Sequence, residues 1–427
     1  VSIVLDDQST TTQPTGLVLT EGQEKAMQAF FEFIRAPHER VFVLSGYAGC
    51  GKTTLVTEIL NRLPKYFKTI QLINEEFEAP PIWLSATTNK AAENLASITK
   101  QGVSTIHSLL SLRVRTDYKT GKTTLSPTRE SGVDNAIVFI DEASYIDRDL
   151  FKLIFEYCRN CKIIFIGDPA QLINHTSKSA PVFEGKFPEA HLGEVVRQAK
   201  GNPIIDLATQ FRNTVNTGEW FQFTPDNHHI QWMPREQFNA AIEQEFTRPD
   251  WHYNDSKVLA WTNKRVIFYN QHIRNIAKGN PEFQPGDYAV CNSFVQASPR
   301  SLKTDELVSI TSISEQESNL GVFGKWFRLN GITLVFVPDS WAEAKKAMTI
   351  FRNDGDYESA RQIGEQWADL RAAYAQTINK SQGSTYDKVF IDLDDVGSCN
   401  VSNQLARMLY VGVSRARHQV ILTGDLV

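Results

Sequence analysis

Arg40-Val41-Phe42-Val43-Leu44-Ser45-Gly46-Tyr47-Ala48-Gly49-Cys50-Gly51-Lys52-Thr53-Thr54 runs from a short apolar, β-branched segment into a glycine-rich loop. The first six residues predict a buried strand, and Leu55, Ile59 and Leu60 beyond the loop carry a helical period. GxxxxGK[ST] between a strand and a helix is a P-loop. Its glycines let successive backbone N–H groups curl around phosphate at the positive end of the following helix. Lys52 is expected on the β- and γ-phosphates and the Thr53 hydroxyl on Mg²⁺, with Gly46, Ala48, Gly49, Cys50, Gly51 and Thr54 lining the same cradle. ATP and Mg²⁺ are the expected cofactors.

Two further strands point at the same site. Ala136 to Ile140 delivers Asp141-Glu142, an apolar strand ending in two acids. Asp141 is expected to hold Mg²⁺ and Glu142 to act as general base on the attacking water. Lys162 to Ile166 ends in Gly167-Asp168-Pro169-Ala170-Gln171, whose Gln171 amide can sense the γ-phosphate. Upstream, Thr20 is a plausible N-cap, and Gln23 can present both amide faces to an adenine edge or be a plain surface residue.

The chain has 427 residues, 41% hydrophobic and 22% charged, which predicts several domains of ordinary globular composition. No apolar run reaches the roughly 18–20 residues of a membrane span. Residues 1–18, Ser/Thr-rich, read as a disordered tail without a signal-peptide pattern. Five scattered cysteines suit reduced thiols in a cytoplasm. Net charge is −5, yet residues 86–129 hold seven Lys/Arg against two Asp/Glu, room for a local phosphate-binding groove.

The second half adds further α/β signals at Val258–Trp261, Val389–Leu393 and Val420–Leu422, with a helical stretch ending in Leu409–Arg417. With these the ordered series of motifs resembles superfamily 1B, the RecD-like and Pif1-like helicases, the Dda-like helicases of T-even phages among them. The series runs through Gln23, Gly46–Thr54, Ser85–Ala92, Ser104–Ser108, Asp141-Glu142, Gly167–Leu172, Arg197, Thr377–Ser384 and Tyr410–Arg417. The resemblance implies two RecA-like parallel-sheet domains in tandem, with a small β-hairpin insertion and an SH3-like β-barrel plus helical arm. In residue numbers these are domain 1A (19–110 and 130–190), hairpin 1B (111–129), domain 2A (191–278 and 374–427) and domain 2B (279–373).

It also implies a motor driven by ATP hydrolysis along single-stranded DNA, 5′-to-3′, that unwinds duplexes in replication or recombination. Arg197 and Arg415 are then arginine fingers, and Gly383 belongs to the nucleotide site. Thr87, Asn89, Thr105, His107, Thr262, Asn263, Thr377 and Lys380 fall in motifs lining the single-strand track. Hydroxyls, amides and a lysine suit grip on a backbone without regard to base, though each can equally be a capping or surface residue. Implied partners are single-stranded DNA and its junctions with duplex, with single-strand-binding or recombination and replication proteins. No membrane is involved, a monomer is expected, and the implied location is a bacterial or phage-infected cytoplasm.

Two positions depart from the family pattern. Asn379 stands where histidine is common, and Cys50 replaces a small hydroxyl residue. A thiol at a helix N-terminus has a lowered pKa, which predicts alkylation at Cys50 that ATP prevents.

Leu112–Leu125 reads as a hairpin around Gly121 and, by the resemblance, as the pin that splits the duplex, the alternative being a solvated basic hairpin. In the 2B region, Phe283–Val290 and Glu306–Ile310 read as short strands and Trp341–Tyr374 as mainly helical. Cys158-Arg159-Asn160-Cys161 lacks a second ligand pair at zinc-site spacing, and His228-His229 reads as a loop feature without a completing carboxylate. Two other classes stay open. A GTPase-like switch is suggested by Thr262-Asn263-Lys264-Arg265, although Val266 occupies the acidic position of NKxD; a DNA-binding scaffold without unwinding activity is the other.

Overall fold

The computed structural model describes residues 19–116, 123–127, 132–173, 180–193, 201–280 and 282–426. The chain divides into two compact units, residues 1–113 with 125–221 and residues 114–124 with 222–427.

Up to residue 193 the strands are β1 (Val41–Gly46), β2 (Ile82–Ala86), β3 (Val103–Thr105), the paired β4 (Leu112–Thr116) and β5 (Thr123–Pro127), β6 (Val133–Asp134), β7 (Ile137–Asp141), β8 (Cys158–Arg159), β9 (Lys162–Gly167) and β10 (Glu189–Leu192). Six form one sheet in the order β10-β1-β9-β7-β2-β3, with every neighbouring pair parallel. A parallel sheet covered on both faces needs strands apolar on both sides. Phe42 and Leu44 pack with Phe30 of α1 (Glu21–Arg35), Leu55 and Ile59 of α2 (Lys52–Gln71) and Phe139. Val41 and Val43 turn to the other face, among Val138, Ile140, Ile163 and Phe165, with Ile154 of α5 (Arg148–Tyr157). This opposition is why the strands read as continuous apolar runs. Truncating a fully buried ring such as Phe139 costs about 3–5 kcal/mol.

Register places the chemistry. Ser45 pairs with Gly167 and Ala86 with Asp141, so the C-terminal ends of β1, β9, β2 and β7 share one edge of the sheet. Ligands of open α/β sheets bind at that edge. Among the described residues, the remaining helices up to the unit boundary are α3 (Asn89–Thr99), α4 (Ile106–Leu109), α6 (Pro181–Glu184) and α7 (Pro203–Thr217).

The second unit holds a parallel sheet of β11 (Ile230–Trp232), β12 (Ser256–Ala260), β18 (Ala375–Thr377), β19 (Tyr386–Asp392) and β20 (Ala416–Thr423), in the order β11-β20-β19-β12-β18. Helices α8 (Arg235–Phe246) and α9 (Asn263–Lys278) build its core through Phe238, Ile242, Tyr269 and Ile273 against Val258 and Phe390. Helices α12 (Leu393–Gly397) and α13 (Ser402–Val413) follow β19. Inserted between α9 and β18 is an antiparallel sheet ordered β16-β15-β14-β13-β17, from β13 (Tyr288–Cys291), β14 (Leu307–Asn319), β15 (Val322–Leu329), β16 (Thr333–Pro338) and β17 (Leu370–Arg371). Ala289, Val308, Ile310, Phe327 and Val335 form its core. Helices α10 (Trp341–Asn353) and α11 (Tyr357–Gln366) pack on it through Ala344 and Ile363, beside Phe336 and Trp367.

The two tandem parallel sheets are the expected architecture. Several boundaries differ. The strand expected from Phe283 begins at Tyr288, because Gln284–Asp287 is a turn with Gly286 at φ 93° and a bond from Asp287 N to Gln284 O. Helix stops at Gln366 rather than Tyr374, and Leu370–Arg371 instead pairs with Val290–Cys291. The helix expected to reach Arg417 ends at Val413, and residues 416–423 are strand. Residues 117–122, on which the expected turn of the hairpin falls, lie outside the described residues, as do residues 1–18 and Arg197.

Candidate nucleotide and nucleic-acid site

The loop after β1 is shaped by three glycines. Gly49 and Gly51 sit at φ 78° and 76°, left-handed conformations that a side chain resists. Gly46 is required for a different reason: a Cβ there would lie 2.7 Å from Cys50 Sγ and 2.9 Å from the Leu192 carbonyl. Gly51 caps α2 without a side-chain bond, leaving the first N–H groups of that helix for phosphate. Lys52 Nζ donates to the carbonyls of Gly46 at 2.6 Å and Tyr47 at 3.0 Å, lying back along its own loop.

Asp141 ends β7, its Oδ1 accepting the Glu142 N–H at 2.8 Å. Burial pushes its carboxyl above the usual range, against that N–H and the charge of Lys52. A buried carboxylate at the end of β7 and a threonine hydroxyl from the P-loop are hard oxygen donors, a type that fits Mg²⁺. Glu142 is itself left-handed, φ 55° and ψ 44°, a strained backbone of the kind found at functional sites. Thr87 braces it: Thr87 Oγ1 donates to Glu142 O at 3.1 Å and Thr87 N to Asp141 O at 3.2 Å. Gln171 is buried, and its N–H bonds Asp168 O at 3.2 Å. The fully buried Asp168 accepts from Ala170 N at 2.9 Å.

Gln23 is buried, not a surface residue. Its Oε1 accepts from Thr20 N at 2.9 Å in a capping box, and its Nε2 reaches the carbonyls of Cys50 and Gly51, each at 3.4 Å. Both ends of the amide that adenine was expected to meet are therefore engaged with the protein. Cys50 is also corrected. It is 2% exposed, and burial pushes its thiol up, outweighing the nearby Lys52. The helix N-terminus does not win over desolvation.

Among the motif residues expected on a DNA strand, Thr105 caps α4 by accepting from Ser108 N at 3.2 Å. Asn89 opens α3. Burial lowers the pKa of His107, with Asp147 opposing, so it is neutral at neutral pH.

In the second unit Thr262 caps α9, its hydroxyl bonded to Asp395 Oδ1 at 2.6 Å and its N–H to Asp395 Oδ2 at 2.9 Å. Asn263 Oδ1 accepts from Arg371 Nη1 at 2.8 Å. Thr377 Oγ1 accepts from Lys380 N at 3.3 Å, while Lys380 Nζ bonds Asn292 and Asp305. Gly383 is left-handed, φ 75°. Arg415 is 6% exposed and donates to Val411 O, Ser384 O and Ser414 Oγ at 3.0–3.3 Å. Val266 belongs to the core of this unit, so no guanine-reading carboxylate stands there.

Asp395, Asp305 and Arg371 went unread in the sequence. Each belongs to no motif, and its partner lies 75 to 133 residues away. All five cysteines are free and buried, with Cys161 donating to Val133 O at 3.1 Å. His229 does have a carboxylate, Asp226 at 3.0 Å, but no group of three or more metal-ligating residues occurs among the described residues. None of the described helices is long and apolar enough to cross a membrane.

Residues 31–177 match the AAA domain family and residues 372–423 the UvrD-like helicase C-terminal domain. The chain is 22% identical to an uncharacterized protein, R530, of Acanthamoeba polyphaga mimivirus, across 93% of this chain and 98% of that one. It is also 22% identical to the RecBCD enzyme subunit RecD of Mycolicibacterium smegmatis, across 90% of this chain and 68% of that one. In fold it matches a Pif1 helicase structure concerned with unwinding at forked double-stranded DNA by two coordinating Pif1 helicases. The TM-score is 0.52 at 18% identity, with 96% of this chain and 93% of that one covered.

Proposed function

We propose that this chain, a Pif1/RecD-like superfamily 1 helicase by its two domain matches and its fold, couples ATP hydrolysis to movement along single-stranded DNA and to duplex unwinding. The observation that carries this is a P-loop at the C-terminal edge of a parallel sheet that also ends in Asp141, a buried carboxyl that feels the charge of Lys52, with the next residue Glu142 held in a left-handed backbone. Glu142 takes the proton of the attacking water, Lys52 turns from its loop carbonyls to the phosphates, and Gln171 senses the γ-phosphate. Thr53 and Asp141 would hold Mg²⁺, which neutralises charge on the phosphate oxygens. Arg197 and Arg415 supply the remaining positive charge in the hydrolysing state.

The strand is gripped by hydroxyls, amides, one imidazole and one ammonium: Thr87, Asn89, Thr105, His107, Thr262, Asn263, Thr377 and Lys380. Movement runs 5′-to-3′, in replication or recombination, by a cytoplasmic monomer that meets single-strand-binding proteins on its track. The β4–β5 hairpin splits the duplex and the inserted antiparallel sheet acts as an SH3-like 2B domain.

The test is ATP and GTP hydrolysis with and without single-stranded DNA, followed by unwinding of duplexes bearing a 5′ or a 3′ tail. Turnover of ATP that rises with the strand, and opening of the 5′-tailed duplex, are expected. Turnover indifferent to DNA would refute the motor, and opening only of 3′-tailed duplexes would reverse the polarity.

A further inference from the structure

Tyr47, the second residue of the P-loop, meets a guanidinium and an imidazole ring that no phosphate-binding pattern requires. The guanidinium carbon of Arg212 lies 3.8 Å from the centre of the Tyr47 ring. The His191 ring meets Tyr47 edge to face, 4.8 Å between centroids at 80°. His191 is in turn fixed by its Nδ1, 2.8 Å from the Oγ of the fully buried Ser45, a hydroxyl also bonded to Glu189. Strand register makes this possible, since β1 and β10 pair Ser45 with His191.

Arg212 comes from α7, the last helix before the unit boundary at residues 221 and 222. Its Nε is out of solvent and finds no hydrogen-bond partner among the described residues, and no acid forms an ion pair with it there. Arg212 is half-buried with its Nε shielded, and among the described residues its guanidinium is held chiefly by the ring, a cation–π contact that strengthens as the cation loses water. The carbonyl of Tyr47 is one of the two acceptors of Lys52. Fixing the ring therefore fixes the peptide from which Lys52 must depart for the phosphates.

We propose that Arg212 is a positioning residue of the nucleotide site: through Tyr47 it preorganises the phosphate loop and ties it to α7. The inference rests on the ATPase reading above but adds a residue that reading does not contain. Preorganisation acts on binding of the nucleotide, so its loss raises KM more than it lowers kcat.

The experiment is steady-state ATPase of the full chain at saturating oligo-dT, with affinity for a fluorescent ADP analogue measured beside it. Arg212→Gln is expected to raise KM and weaken the analogue by about threefold or more with kcat within about twofold. Tyr47→Phe keeps the ring and should match wild type, whereas Tyr47→Leu should match Arg212→Gln. Because the two residues act as one contact, Arg212→Gln with Tyr47→Leu should be no worse than either alone. A normal KM in Arg212→Gln, equal damage from Phe and Leu at position 47, or additive losses would each overturn the proposal. Should Arg212→Gln not fold, the Phe and Leu contrast decides alone. A wild-type protein without strand-stimulated turnover would defeat the motor reading, and analogue affinity would still judge the stack.

Discussion

The ammonium of Lys380 sits 2.8 Å from the carboxylate of Asp305, and its other two donors go to Asn292, at 2.8 Å to the side-chain oxygen and 3.2 Å to the carbonyl. Asn292 Nδ2 bonds Asp369 at 2.7 Å, Asp369 pairs with Arg371 at 3.2 Å, and Arg371 reaches Asn263 at 2.8 Å. One polar chain thus joins Lys380 and Asn263, both proposed for the DNA track, through Asn292 just after β13 and Asp369-Leu370-Arg371 at β17 of the inserted sheet. Asp305 itself is left-handed, φ 62°, a backbone tolerated better by aspartate than by most residues.

If Lys380 grips phosphate, Asp305 competes with the DNA for it. Lys380→Ala should weaken single-strand binding and flatten its log–log salt dependence by about 0.7. Asp305→Asn should tighten binding. The pair is about one-third exposed, so it is worth at most about 1 kcal/mol, or about fivefold in affinity. Anisotropy titrations across a salt series measure both. Unchanged binding in Lys380→Ala would remove that residue from the track.

Glu142→Gln keeps the amide in the same left-handed position while removing the base. It should bind ATP and DNA as wild type does and hydrolyse about 10²-fold to 10⁴-fold more slowly. Single-turnover hydrolysis with separate nucleotide and DNA binding reads the split. Wild-type turnover would assign the proton transfer elsewhere.

What was legible in the sequence was local or periodic. Phe42 and Leu44 facing one core, with Val41 and Val43 facing the other, leave a continuous apolar run that announces a covered parallel strand. The P-loop is a contiguous motif for the same reason that its chemistry is local. Strand β14 extends nine residues beyond apolar Leu307–Val308–Ile310, to Asn319, because Gln316, Glu317 and Ser318 find Lys325, Gly324 and Phe323 across the ladder. Polar residues held by pairing alone carry no alternation to read. The thiol of Cys50 failed for a related reason: helix position is visible in sequence, but the enclosure that raises its pKa comes from elsewhere in the fold.

That enclosure makes a prediction of its own. With the thiol buried and its pKa raised, little reactive thiolate forms near neutral pH. Iodoacetamide at pH 7 should leave Cys50 unmodified in the folded protein with or without ATP, as read by peptide mass spectrometry. Rapid labelling that ATP suppresses would restore the sequence expectation and require the loop to open in solution.

Glu245 offers a test of the second unit through pH. Burial pushes its carboxyl up, but bonds from Lys388 at 2.7 Å and from Ser256 outweigh it, and the pKa lies below the usual glutamate value. A carboxyl depressed in the folded state contributes stability that is fully present above its unfolded pKa and is lost as pH falls through the folded one. Glu245→Gln removes the charge that joins α8 to β12 and β19, at a cost of about 1–3 kcal/mol near neutral pH. Thermal melts of the two proteins should therefore differ most at pH 6–7, in the region of about one to several degrees. The gap should begin to close as pH falls below the ordinary glutamate value of about 4.3 and vanish only below the depressed folded value, where wild type is protonated as well. A gap independent of pH would mean that packing of the side chain, and not its ionised carboxylate, holds these elements together.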